Sequence, residues 1–378
     1  MSAEFRELAI VGRRLNEPLT GVGRYIECLL REWRSGEHPF GTIRVYAPGQ
    51  TNLPPDVLEG PIAVEIVPQN LSPLYWENVQ LPSRLKHADV IFAPYTLPWF
   101  SARRGVVSNL GIYDGRPGDF PLAARLRTTP FFRHAARSAI RVIANSHSTR
   151  DDLVRHYGVS PDKVDVILLG ADSRLSPGDD QQPLPAEIKA RYGLSGAPYF
   201  LLVGKLSKRR NIPLLIEAFA EARPKLTTDH QLVVIGPDYL GLSPRSLAHT
   251  AGVGEAVAHA PFAPMDDLLH LYRGATAFVL PTEHEGFSLT IPEAMACGAP
   301  VITFDHAALE GPLHDSAWIV EPNSSALALA LRQIVNEPAV RNQWRERALL
   351  CARHYRWETT AQQTMRILGA AATQLRRK

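Results

Sequence analysis

Ala277-Phe278-Val279-Leu280 is a short, wholly apolar run closed by Pro281, and Val301-Ile302-Thr303-Phe304 is another of the same kind. Runs this short, with no polar alternation, read as strands buried on both faces, which is the signature of a parallel sheet whose strands are joined by helices. Between them, Pro292 takes the favoured first position of a helix through Ala294-Met295-Ala296-Cys297, and Gly298 stops that helix. Strand, loop, helix and strand thus follow one another, and the loop from His284 to Glu293 falls at the carboxyl end of a strand. Open α/β sheets bind ligands at that edge, where a helix start also offers unpaired N–H groups to an anion.

Within the loop, Glu285 and Glu293 stand eight positions apart around Gly286-Phe287-Ser288-Leu289-Thr290. Each acid has two readings. Glu293 either complements the helix dipole or accepts hydrogen bonds from a ribose diol, and Glu285 is either a solvated loop acid or an acceptor for hydroxyls of a second sugar. Upstream, the apolar run Tyr199-Phe200-Leu201-Leu202-Val203-Gly204 leads into Lys205, Lys208, Arg209 and Arg210, four cations within six residues. At a strand's carboxyl end such a cluster suits a diphosphate; elsewhere it is a solvated loop or a patch for an acidic partner.

The first third repeats the pattern. Leu8-Ala9-Ile10-Val11-Gly12 reads as a strand, and Thr20-Gly21-Val22-Gly23 as a capped, close-approach loop before a helix over 24–33. A further strand at 89–93 runs into the aromatic, Pro-bounded segment Pro94-Tyr95-Thr96-Leu97-Pro98, either a sugar platform or a packed connection. Arg125, Arg127, Arg133, Arg137 and Arg141 follow in a stretch without an acidic residue, interleaved with Phe131 and Phe132. That stretch reads as a helix with a wet basic face, or as a weak peripheral contact with an anionic lipid surface or acceptor.

The words around the two acids, EGFSLTIPEAMACGAPVI, resemble the E-x7-E signature of retaining glycosyltransferases of family GT4, with Ser288 and Thr290 departing from the usual Gly and Pro. The 203–211 run is similar to that family's VGR-x5-KG element, with Lys205 for Arg, Arg210 for Lys and Asn211 for Gly, and GVGRY and YWENVQLP also resemble it. The resemblance implies an α/β, GT-B fold of two Rossmann-like doubly wound domains facing a central cleft, with a terminal helix crossing back to the first. It implies donor binding by Gly21, Val22, Gly23, Gly204, Gly286, Phe287, Ser288, Leu289, Thr290 and Glu293, and a catalytic set of Lys205, Arg210, Glu285, Tyr113 and Asp114. Tyr113 stands where the family often has His, so no histidine role carries over. The implied reaction moves a hexose with retention from a nucleotide sugar, first GDP-mannose and next UDP-glucose or UDP-N-acetylglucosamine, to a glycan or glycolipid hydroxyl. The leaving phosphate would take the acceptor's proton, and Lys205 and Arg210 would neutralise it, with no metal and no cofactor beyond the donor substrate. The changes at Tyr113 and Ser288 also leave open a sugar-nucleotide-binding protein without transferase activity.

The length of 378 residues fits domains at 1–180 and 190–357, with 358–378 returning to the first and a Pro-rich linker across 175–188. A formal charge of +3 and 21% charged residues do not indicate a nucleic-acid partner. No run approaches the roughly 20 apolar residues of a membrane span, and with no export-like start and three unclustered cysteines the expectation is a cytoplasmic protein. The 13 histidines show no metal-ligand spacing.

Overall fold

The computed structural model of the chain describes residues 4–17, 19, 21–112, 122–178 and 184–377. It divides into two compact units, 1–169 with 357–378, and 170–356. The division falls ahead of the Pro-rich stretch at 175–188, and the terminal segment belongs to the first unit from Trp357 onward.

Among the described residues, the first unit is built on seven parallel strands: β1 (Phe5–Val11), β2 (Phe40–Ala47), β3 (Ile62–Ile66), β4 (Val90–Pro94), β5 (Gly105–Asn109), β6 (Arg141–Ala144) and β7 (Val164–Val166). Their spatial order is β3-β2-β1-β4-β5-β6-β7, so the chain winds outward in both directions from the β1/β4 pair. Every residue of β5 is buried, as a strand covered on both faces requires. The helix Trp357–Arg376 packs along the helix Gly21–Trp33 and over β4. Trp357 lies 6.0 Å from Tyr25 between ring centroids, Trp33 Nε1 donates to the Ala361 carbonyl at 3.1 Å, and Thr360 Oγ1 donates to the Leu168 carbonyl at 2.7 Å. Burial of each such aromatic stabilises by about 1.5–3 kcal/mol, which is what docks the terminal helix.

The second unit holds β8 (Tyr199–Val203), β9 (Gln231–Ile235), β10 (Val257–Ala260), β11 (Ala275–Leu280), β12 (Val301–Phe304) and β13 (Trp318–Val320), all parallel, in the order β10-β9-β8-β11-β12-β13. Its winding reverses between β8 and β11. The loops leaving those two strands therefore emerge side by side at the carboxyl edge, the switch point at which doubly wound sheets bind ligands. No helix of the described residues is long and apolar enough to cross a membrane.

Candidate donor site

The loop after β8 is shaped by its glycine. Gly204 has φ +137°, and Gly236, after β9, has φ +154°, where an added β-carbon would come within 2.1 Å of the Gly204 carbonyl oxygen. Only glycine at both positions lets the two backbones approach this closely. The chain then makes a tight turn over Lys208–Arg210 and passes through Asn211 at φ +49° into the helix Ile212–Ala222. That turn carries Arg209 and Arg210 towards the loop after β11.

There the two loops are fastened by one carboxylate. Arg210 Nε donates to Glu285 Oε1 at 2.9 Å, and Arg209 Nη2 donates to Glu285 Oε2 at 3.2 Å. Arg209 Nε also donates to the His284 carbonyl at 3.0 Å, and Arg210 Nη1 to the Lys205 carbonyl at 3.3 Å. Glu285 is buried, which by itself would raise its pKa, but the adjacent guanidiniums of Arg210 and Arg209 outweigh burial and hold it down at about 2. It is thus a fixed anion that aims two cations. A sugar hydroxyl donating to Glu285 would have to share its oxygens with them. Lys205 is exposed, with Nζ 4.7 Å above the Tyr239 ring, and adds a compact charge to the same loop.

The helix after this loop runs Thr290–Ala296, two residues earlier than the sequence suggests, so Pro292 sits within the first turn, where its missing N–H costs nothing. Gly298, at φ +80°, ends it as expected. Gly286, Phe287 and Ser288 are buried, and Leu289 and Thr290 half-buried. Ser288 Oγ and Thr290 Oγ1 have no hydrogen-bond partner in the protein. Glu293 has no exposed surface, and its Oε2 accepts from Tyr272 Oη at 3.1 Å. Arg209 is the clamp residue that the sequence reading left among a charge cluster; its pairing depends on Glu285, 76 positions away, and no local signal marks it.

In the first unit, Gly21, Val22 and Gly23 form the opening turn of the helix Gly21–Trp33 rather than a loop ahead of it. Gly23 is crowded by Leu19, with 2.9 Å between its would-be β-carbon and Leu19 Cδ2, whereas Gly21 is open. Val22 borders a cavity of about 210 Å³ whose walls include Arg13, Tyr95, Thr96, Phe132 and Tyr157. Tyr95 is held there at φ +64°, a strained conformation for a bulky residue. Buried Glu77, from the YWENVQLP word, braces the cavity by accepting from Arg13 Nη1 at 3.2 Å and Thr96 Oγ1 at 3.0 Å. Tyr113, Asp114 and the capping Thr20 lie outside the described residues. A cavity of about 530 Å³ in the second unit opens at the amino ends of β8 and β11, beside Tyr199 and Ala275, away from the clamp, and holds none of the residues expected to act.

Two family models match the chain. The model of glycosyl transferases group 1 matches residues 186–350, and that of glycosyltransferase family 4 matches 19–175. The chain belongs to glycosyltransferase family 4. One matched segment covers most of each unit, and Glu285 and Glu293 fall inside the second. Among curated relatives, the D-inositol 3-phosphate glycosyltransferase of Frankia alni is 34% identical over 60% of this chain and 58% of its own length. The O-antigen chain mannosyltransferase B of Escherichia coli is 27% identical over 60% of each. The chain thus spans under two thirds of the length of the relatives it matches. Among solved structures, Anabaena HepE in complex with UDP and glucose superposes with a TM-score of 0.74, at 18% identity, over 97% of this chain and 100% of that one. The fold of this family 4 chain is GT-B.

Proposed function

We propose that this family 4 chain is a retaining hexosyltransferase that takes a nucleotide sugar on its second unit and passes the sugar to a hydroxyl of a glycan or glycolipid. The Arg209–Glu285–Arg210 clamp at the switch point carries the reading. Cations already fixed in place need no reorganisation when the diphosphate gains charge on leaving, and that preorganisation is the main contribution available here. Lys205 adds a third charge, and the departing phosphate oxygen takes the acceptor's proton, so neither a protein base nor a metal is required. The glutamates do not act as the acid and base of a glycosidase, because Glu285 is pinned between guanidiniums and held ionised. Tyr113 and Asp114 complete the proposed catalytic set.

GDP-mannose is the first donor, supported by the family words and by the likeness to an O-antigen mannosyltransferase. UDP-glucose is the second, the ligand named for HepE in another of its structures. The cavity beside Tyr95 is the acceptor's place on the first unit, in a protein working in the cytoplasm. On the helix Leu122–Ser138, Leu122 and Leu126 are 67% and 71% exposed, and nearby Phe100 is 92% exposed, which supports a weak peripheral contact with anionic lipid.

The deciding experiment incubates the protein with GDP-mannose, UDP-glucose or UDP-N-acetylglucosamine, with and without D-inositol 3-phosphate or manno-oligosaccharides. It follows released nucleoside diphosphate and the anomeric proton of any product. Acceptor-dependent release with an α-linked product supports the proposal. Tight binding of a nucleotide sugar with no release under any condition would replace it with the non-transferase reading.

A further inference from the structure

Two histidines of the second unit are both buried and are treated in opposite ways. His230 is 2% exposed, and both ring nitrogens are engaged: Nδ1 with the Thr228 carbonyl at 2.8 Å and Nε2 with Thr276 Oγ1 at 3.1 Å. His306 is 6% exposed, and neither Nδ1 nor Nε2 has a hydrogen-bond partner in the protein. A buried polar group left unpaired costs about 1–3 kcal/mol, and an imidazole with two idle nitrogens is a poor filler of apolar space. Ser288 Oγ, on the loop after β11, is likewise buried with no hydrogen-bond partner in the protein, so idle polar groups gather at this edge and call for a ligand.

The position of His306 says which ligand. Leu280 of β11 is in register with Thr303 of β12, and Thr303 Oγ1 donates to the Leu280 carbonyl at 2.7 Å. The segments beyond, 281–285 and 304–306, therefore leave the same sheet edge together. Asp305 turns outward, with its side chain 71% exposed, while His306 turns inward and its carbonyl accepts from the Leu309 N–H at 2.9 Å. Burial lowers the pKa of His306 to about 4, against the pull of Glu285 and Asp305. The ring is neutral at pH 7, with one donor and one acceptor. Sugar hydroxyls both donate and accept, so either nitrogen finds a partner among them; a phosphate oxygen only accepts and leaves the acceptor nitrogen idle.

We propose that His306 is a specificity-determining residue that hydrogen-bonds a hydroxyl of the donor's sugar, not its diphosphate. The assignment rests on the second unit being the donor site, and its test separates the two. Calorimetric titration of wild type, His306→Phe and His306→Gln would use UDP, UDP-glucose, GDP and GDP-mannose. The expected result is that His306→Phe binds UDP and GDP within twofold of wild type but binds the preferred nucleotide sugar roughly tenfold more weakly, the factor of one hydrogen bond. His306→Gln, which keeps a donor and an acceptor, should recover part of that loss. His306→Phe should also melt no lower than wild type, because it removes no protein hydrogen bond. Equal loss of nucleotide and nucleotide sugar, no loss of either, or a marked drop in melting temperature would overturn the assignment, the last indicating a structural bound water as the partner. Wild-type protein that binds none of the four ligands would remove the donor-site reading itself and this assignment with it.

Discussion

A β-carbon on Gly204 would stand 1.7 Å from Nη1 of Arg210. The guanidinium is not a free end that can swing aside, since Glu285 and the Lys205 carbonyl hold it. Gly204→Ala therefore meets both a left-handed backbone at φ +137° and a pinned side chain. Strain of this kind costs about 1–3 kcal/mol, and we expect a lower melting temperature together with weaker nucleotide-sugar binding. Unchanged melting and affinity would show that the clamp relaxes without consequence.

Glu285 makes the same clamp sensitive to acid. Its folded pKa of about 2 lies below its ordinary value of 4.5, because burial is outweighed by Arg210 and Arg209. A depressed carboxylate contributes its full stabilisation above pH 4.5 and loses it as pH falls towards 2. The shift corresponds to a contribution on the order of 3 kcal/mol at neutral pH. Glu285→Gln should therefore be clearly less stable than wild type at pH 7 in urea unfolding, and the gap should narrow between pH 4.5 and pH 2.5. A gap that stays constant across that range would mean the charge of Glu285 does not stabilise the clamp.

The arginine-rich stretch runs from the helix Leu122–Ser138 onto β6, where Arg141 lies, and divides into two kinds of residue. Arg141 donates to Asp165 through both Nε, at 2.8 Å, and Nη2, and Arg133 Nη2 donates to the His156 carbonyl at 2.9 Å, so these two hold the first unit together. Leu122, Leu126 and Arg127 are exposed. If the chain touches anionic lipid, Leu126→Ser with Arg127→Gln should reduce sedimentation with phosphatidylserine vesicles, whereas Arg141→Gln should lower stability and leave sedimentation alone. Each cation near such a surface is worth about 1 kcal/mol, and the effect should fade as salt shortens the Debye length to roughly 10 Å at 0.1 M. Wild-type protein that stays in the supernatant at low salt would end the lipid reading.

The parts legible in the sequence were those written in consecutive residues. Apolar runs such as Tyr199–Val203 and Val301–Phe304 gave parallel strands, and the reversal of winding put the loops with Gly204 and Glu285 at one edge. Pairings across the fold were not legible. Nothing near Arg209 announces that Glu285 will accept from it, and nothing near His306 announces that its ring will be buried without a partner, because both follow from strand order and register. The start of the helix at Thr290 was missed for a local reason: proline is as acceptable within the first turn as at its first position, so Pro292 fixes a boundary only to within a turn.

Lys205 and Arg210 carry charges of the same sign to different ends, and their alanine variants should differ. Arg210 is buried and tied to Glu285, so Arg210→Ala leaves a buried carboxylate with one guanidinium fewer. Breaking a buried pair costs about 3–5 kcal/mol, and this variant should lose stability, donor affinity and turnover together. Lys205 is exposed, where an ion pair is worth little, so Lys205→Ala should melt close to wild type. If it meets charge that grows on the leaving diphosphate, its loss should lower kcat by about 10²–10³-fold with a much smaller change in donor KM. If the cations supply the charge a divalent metal would otherwise bring, both variants and wild type should retain their activities in EDTA. Equal loss in kcat and in affinity for Lys205→Ala would make it a binding residue only, and activity abolished by EDTA and restored by magnesium or manganese would overturn the metal-free mechanism.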